Sequence, residues 1–444
     1  MPNNDRAAAI PAIRWVNHAS FIIEVGDLRL LSDPWLEGTA FKDGWALISP
    51  TVFEYSDFTD LTHVWISHQH PDHFAPTNLV KVPADAKRSL TVFYREDEDK
   101  LVVSWLRAKG FANVAELALD RWIPLAPGIE VMCGRHSDDS WLALRTPATT
   151  LLNVNDVVLK RADDIRRIAQ LVGRVDVLFT QFSYAQWTGN PADTAMRKRD
   201  AAEKLERIRL QDSIVNPDVI VPFASFVYFC NRENFHHNDG VNAVGDVAAF
   251  VETELGKRAA VLYPGDRWSV DQPCDWRPAA QRYAADFRAR IAGGATHAPR
   301  PGSSAEFETT IRDFLKRLTA KNPTARLLVR EKSIVYLTDL ERAYQLSING
   351  VAPVDAAPSE ADVVTSSENV LYAFRTPWGG NTLHVSGRFT SPVHERRMRF
   401  FELVRLLHHY NRTPIDASWL GAQCRRVAAG IARRLGSVSR RGAV

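Results

Sequence analysis

A chain of 444 residues with 45% hydrophobic and 24% charged residues has the composition of a globular protein large enough for more than one domain. Its 55 Lys and Arg against 52 Asp and Glu leave a formal charge of +3, which argues against a surface tuned as a whole to nucleic acid. The four cysteines, Cys133, Cys230, Cys274 and Cys424, stand far apart and form no C-x-x-C pair. That excludes a cysteine-rich zinc or iron–sulfur module within the chain and leads us to expect a cytoplasmic setting. The opening residues, from Met1 to Arg6, lack a signal-peptide pattern, and no window is long and apolar enough to span a bilayer.

In chain order, Ile13 to Val25 reads as a strand, a polar corner at Asn17-His18-Ala19-Ser20 and a second strand; Leu28 to Trp35 is a third, ending in Asp33-Pro34-Trp35. Leu61–Ser67, Ser89–Tyr94, Ile129–Cys133 and Val175–Thr180 read as further strands from their apolar runs, and Asp163–Val172 and Met196–Leu210 as helices. Short buried strands follow at Asn216–Phe223 and Ala259–Asp266, the second closing in a tight turn. A Gly, Ala, Pro and Ser-rich loop from Gly293 to Ser304 marks a domain boundary. Beyond it, Ala305–Ala320 is a helix with an apolar stripe at Phe307, Ile311, Phe314 and Leu318. Ala325–Val329, Ser333–Leu337, Ala343–Ile348 and Asp362–Thr365 read as strands. The expected domains are 12–300, a small α+β unit at 305–395 and a helical, basic segment at 396–444.

The chemistry concentrates in Trp65-Ile66-Ser67-His68-Gln69-His70-Pro71-Asp72-His73, where three histidines and an aspartate fall within six residues after an apolar run. Imidazole and carboxylate are ligands for zinc, iron or manganese. His68 and His70 alternate along an extended segment. Pro71 then turns the chain, so Asp72 and His73 can address a second metal position nearby. His-x-His-x-Asp-His after a strand resembles the signature of the metallo-β-lactamase superfamily. The resemblance implies an αββα sandwich in the first region, followed by the smaller α+β domain. The opening strands resemble the branch that includes ascorbate-phosphate lactonases and N-acyl phosphatidylethanolamine phospholipase D. The stretch Asp33 to Trp45 is similar to a segment of CMP-N-acetylneuraminate hydroxylases. The segment Ala361 to Leu371 weakly resembles sterol-carrier-like domains.

The resemblance implies further ligands: His136 after the strand ending in Cys133, and Asp156, in the Asn155-Asp156 step, as a carboxylate bridging two cations. The late strand where the superfamily carries its last histidine leads here to Val221-Pro222-Phe223-Ala224-Ser225-Phe226, without one. His237 is taken as the replacement, with His236 and Asp266 as alternatives. His18 is a candidate proton shuttle or substrate contact. Asp33 is a candidate for orienting a ligand histidine. The expected metal set is therefore His68, His70, Asp72, His73, His136, Asp156 and His237, with Asp72 and His18 as catalytic groups.

Two divalent ions, zinc first and iron or manganese as alternatives, would serve a hydrolase acting on an ester, lactone or phosphodiester of a small molecule. The alternative is a diiron oxygenase like the sialic-acid hydroxylases. It would need a separate electron-transfer partner, because a Rieske centre takes two Cys and two His in spaced pairs. Trp378-Gly379-Gly380-Asn381 reads as a tight turn, either a lid or a hairpin. The tail, with Arg425, Arg426, Arg433, Arg434, Arg440 and Arg441, reads as a cationic helix able to meet an anionic membrane surface or to lie solvated.

Overall fold

The computed structural model describes residues 10–413. The arginine-rich tail expected to form a cationic helix lies outside them. The described residues fall into two compact units, divided between residues 298 and 299.

In the first unit two seven-stranded sheets stack face to face, and a three-stranded sheet stands beside them. Period-two alternation decides which side chains meet between the sheets. In Ser20–Val25, Phe21, Ile23 and Val25 enter the inter-sheet core while Ile22 faces the other way. In His63–Ile66, Trp65 points inward and Val64 and Ile66 outward. In Val177–Gln181 of the second sheet, Val177 and Phe179 point inward and Leu178 outward. Phe21 and Phe179 stack across the interface with ring centroids 4.5 Å apart. Strands buried on both faces read as continuous apolar runs, which makes them legible by composition.

The outward residues are covered by helices. Leu79, Ala86, Val102, Val103 and Leu106, from Pro76–Leu79, Ala84–Ser89 and Leu101–Ala108, cover the first sheet. Ile165, Ile168 and Val172 of Ala162–Val172, with Leu210 and Ile214 of Thr194–Val215, cover the second. The architecture is an αββα sandwich. Both sheets are half antiparallel and half parallel. The first runs Arg267–Ser269, Ala12–Asn17, Ser20–Val25 and Leu28–Ser32 antiparallel, then His63–Ile66, Thr91–Arg95 and Asn113–Leu117 parallel. In the second, Thr150–Asn153, Val177–Gln181, Val219–Phe223 and Arg258–Ala259 are the parallel members. Ligands of α/β sheets gather at the carboxyl ends of parallel strands, and Asp33, Ser67, Asp156 and Gln181 all sit at such ends.

The second unit holds a four-stranded sheet in the order Gly350–Val354, Arg342–Ser347, Lys332–Leu337 and Val363–Thr365. Ser304–Lys321 and Arg397–Arg412 pack against this sheet and against each other. Ser303 caps the first of them, its hydroxyl accepting from the Glu306 N–H at 3.2 Å. Three readings are corrected here. In the first unit, of the expected strand Ala259–Asp266 only Arg258–Ala259 is strand. Ala325–Leu328 is a helical turn rather than a strand. Gly379–Ser386 is a helix rather than a turn or hairpin. Neither Gly379 nor Gly380 needs a positive φ; both are glycines for want of space. A Cβ on Gly379 would lie 2.3 Å from the Tyr372 carbonyl oxygen, and one on Gly380 2.8 Å from Val404 Cγ1. Gly379→Ala should therefore destabilise the protein by about 1–3 kcal/mol through overpacking. Urea unfolding of the variant against the parent checks this, and an unchanged midpoint would remove the packing explanation.

Candidate metal centre

The strand Leu28–Ser32 ends in Asp33, which takes a left-handed φ of 39°. Its carboxylate is buried and saturated. Oδ1 accepts from the Ser67 N–H at 2.8 Å. Oδ2 accepts from Ser67 Oγ at 2.8 Å and Asn155 Nδ2 at 2.6 Å, and lies 3.0 Å from His73 Nδ1. Four donors converging on one carboxylate offset the cost of burying it. The last of these contacts fixes the His73 ring so that Nε2 points away, 3.4 Å from Asp72 Oδ2 and 3.2 Å from Asp156 Oδ2.

His18, at the corner between the first two strands, also has a positive φ, 39°. Its Nε2 lies 3.4 Å from Asp72 Oδ2, and Trp35 packs edge-on against its ring at 5.5 Å. His68 Nδ1 lies 2.9 Å from Ser67 Oγ. His68 Nε2 lies 2.9 Å from His70 Nδ1 and 3.6 Å from Asp139 Oδ1.

Among the described residues, three groups bring their ligand atoms within 4.8 Å of one another: His18, Asp72 and His73; His68, His73 and Asp156; and His68, His70 and Asp139. Shared His68 and His73 link them into one centre. His18, His68, Asp72 and His73 are each no more than 1% exposed. Asp72 Oδ1 and His18 Nδ1 are buried without a hydrogen-bond partner, and Asp72 Oδ2 and His18 Nε2 meet only at 3.4 Å, without hydrogen-bond geometry. Buried polar atoms left unpaired are costly, and a cation is the partner this donor set fits.

Burial pushes the Asp72 carboxyl up, but His73 and His18 outweigh it and hold it well below the carboxylate range. Burial would lower His73, yet Asp72, Asp156 and Asp33 hold it well above its usual value. Burial, with His73 and His70 beside it, depresses His68. Burial also raises the Asp139 carboxyl, against the opposing charge of His70.

Two expected ligands are elsewhere. His136 enters none of the three groups. It pairs with Asp139 across the hairpin of Ile129–His136 and Asp139–Arg145, and the two-residue turn delivers Asp139 instead. Arg95 clamps that turn by donating to the Asp138 carbonyl, and Ser140 Oγ donates to the Ser67 carbonyl. His237 is buried beside Thr188, its Nδ1 3.3 Å from the Thr188 hydroxyl, with Phe229 against its ring. His236 faces the Gly189 carbonyl, and Asp266 accepts from the Tyr263 N–H at 2.8 Å. None of these three joins the centre. At the end of Val219–Phe223, Ala224 donates its N–H to the His18 carbonyl at 3.2 Å. The corner carrying His18 thus abuts the place where the sequence lacks a histidine.

No local motif announces Asp139, Arg95 or Gln181, the last of which donates to Asp156 Oδ1 at 3.2 Å. The available signal is the two-residue Ser137-Asp138 turn, which puts Asp139 opposite His136. Asp139→Ala should remove about one metal equivalent per chain, whereas His136→Ala should keep both. Elemental analysis of the two variants decides, and loss with His136→Ala instead would reverse the assignment.

Residues 12–122 match the family model described as "Beta-lactamase superfamily domain". A Mycolicibacterium smegmatis protein described as "Putative Rieske 2Fe-2S iron-sulfur protein" is 27% identical over 266 residues, covering 53% of this chain and 48% of its own. A UPF0173 metal-dependent hydrolase of Xanthobacter autotrophicus is 31% identical over 106 residues, covering 24% of this chain and 39% of its own. The cytidine monophosphate-N-acetylneuraminic acid hydroxylase of Asterias rubens is 28% identical over 141 residues, 30% of this chain and 21% of that enzyme. The chain spans about half the length of the first of these relatives, and less of the other two.

Proposed function

We propose that this chain, whose residues 12–122 match a beta-lactamase superfamily domain model, is a metal-dependent hydrolase with a dinuclear centre, acting on an ester, lactone or phosphodiester of a small molecule. The observation that carries the reading is the convergence of four imidazoles and three carboxylates in three linked groups, with Asp72 Oδ1 and His18 Nδ1 buried and unpaired. His68, His70 and Asp139 would hold one cation and His18, Asp72 and His73 the other, with Asp156 Oδ2 added to the second beside His73. Two divalent cations, zinc first, would supply Lewis acidity and a water of lowered pKa. Asp33 holds His73 by Nδ1 and keeps Nε2 directed into the centre. Asp72, an acceptor at both oxygens, would orient the attacking water or take its proton. Trp35 and Phe41, packed on His18 and His70, would limit water on that side.

One observation favours a second reading, a diiron oxygenase. With Asp139 in place of His136, every group is two imidazoles and one carboxylate, a donor set that suits non-haem iron. Relatives described as a sialic-acid hydroxylase and a Rieske protein lend it weight. It would draw electrons from a separate donor.

Protein purified without added metal should carry two divalent ions per chain. Chelation should abolish turnover of chromogenic phosphodiesters or lactones while circular dichroism stays unchanged, since the sandwich core is built without metal. Turnover should be equal under nitrogen and in air. A requirement for both dioxygen and a reductant would replace the hydrolase reading with the oxygenase. Asp72→Asn keeps the shape and removes the charge. It should lower kcat by about 100-fold or more with little change in KM, and steady-state kinetics on the same substrates test it.

A further inference from the structure

The helix Thr194–Val215 turns an unusual stripe to the protein: Arg197, Ala201, Lys204, Ile208 and Gln211 are its buried residues, and three of the five are polar. Two of the polar three are matched directly. Arg197 pairs with Asp239, and Gln211 accepts from Thr180 Oγ1 at 2.6 Å. Lys204 is different. It is 7% exposed, and the neighbouring Glu203 carboxylate pairs with Lys160 instead, at 2.9 Å. The Lys204 ammonium donates to the side-chain carbonyl of Gln181. Burial, with Arg207 nearby, pushes the lysine down to about 7. A methionine would fill this space without that cost, so the ammonium calls for a reason.

The reason lies one bond further on. In its charged form Lys204 only donates, and a carboxylate only accepts. Gln181 stands between the two and therefore has a single workable orientation. Its Oε1 faces Lys204, and its Nε2 donates to Asp156 Oδ1 at 3.2 Å. Reversing the amide would set NH₂ against ammonium and oxygen against carboxylate. With Oδ1 engaged, Asp156 Oδ2 is left facing His73 Nε2 at 3.2 Å. We propose that Lys204 is a positioning residue for the metal centre: by locking the Gln181 amide, it commits Asp156 Oδ1 to the protein and Oδ2 to the cation. This rests on reading Asp156 as a ligand.

The test is a cobalt(II) titration of the full chain stripped of metal, read by visible absorption and by calorimetry. The parent should bind two cobalt ions. Lys204→Met should weaken one of them by about ten- to a hundredfold, the range for groups that orient a ligand, and should alter that ion's absorption band while the other stays unchanged. Gln181→Leu, at a half-buried position, should do the same, and it carries the test if Lys204→Met does not fold. The double variant should be no worse than either single one, because one acts through the other. Folded variants that bind both ions as the parent does would overturn the proposal, and so would losses that multiply in the double variant. A parent that binds no cobalt would remove the metal reading and this proposal with it. A parent that binds two, with variants indistinguishable from it, would remove this proposal alone.

Discussion

Everything at the candidate centre depends on one buried carboxylate. Asp33 joins three chain segments: the end of Leu28–Ser32, the histidine-rich loop through Ser67 and His73, and the Asn155 loop of the second sheet. A carboxylate this deep is tolerable only with its lone pairs filled. The same four contacts that make it tolerable also set the backbone of the loop and the direction of the His73 ring. Removing the charge would therefore loosen the loop and the ring together. That is why a residue that need not touch metal governs the residues that would.

The sandwich is largely legible in the sequence because its strands are buried on both faces or alternate cleanly, as in Ser20–Val25. The His68 to His73 cluster is legible because its ligands are contiguous. Asp139 is not. It reaches the centre through the register of a hairpin, and register follows from the two-residue turn at Ser137 and Asp138 rather than from any local motif. His136 is favoured by being a histidine after an apolar strand, yet the turn leaves it outside the groups. His237 is favoured as a histidine soon after the late strand that lacks one, and Thr188 and Phe229 enclose it elsewhere. Lys204 is invisible for a related reason: a lysine in a helix reads as solvated until the packing of that helix is known. Gly379 and Gly380 read as a turn because glycine signals both freedom and lack of room. Only the packing against Tyr372 and Val404 tells the two apart.

The geometry also bears on how one scaffold can serve two chemistries. The ring positions of His18, His68, His70 and His73 are fixed by the first sheet and its loops. The carboxylates Asp139 and Asp156 sit at or beside turns of the second sheet. The balance of nitrogen and oxygen donors can thus change in the turns while the imidazole frame stays intact. Metal preference follows donor hardness, so a single exchange in a turn can retune the centre without disturbing the core.

The two-sheet origin of the ligands has a mechanical consequence. Metal coordination tolerates deviations of about 0.2 Å, whereas a strand slipped by one residue moves about 3.3 Å. A centre spanning the sandwich is therefore a gauge of how the sheets are aligned. Substitutions in the stacked Phe21 and Phe179 layer, remote in sequence from most of the ligands, can register as altered metal affinity long before they register as unfolding. Drift in metal content among variants of this protein would then report strain in the core rather than damage to the ligands.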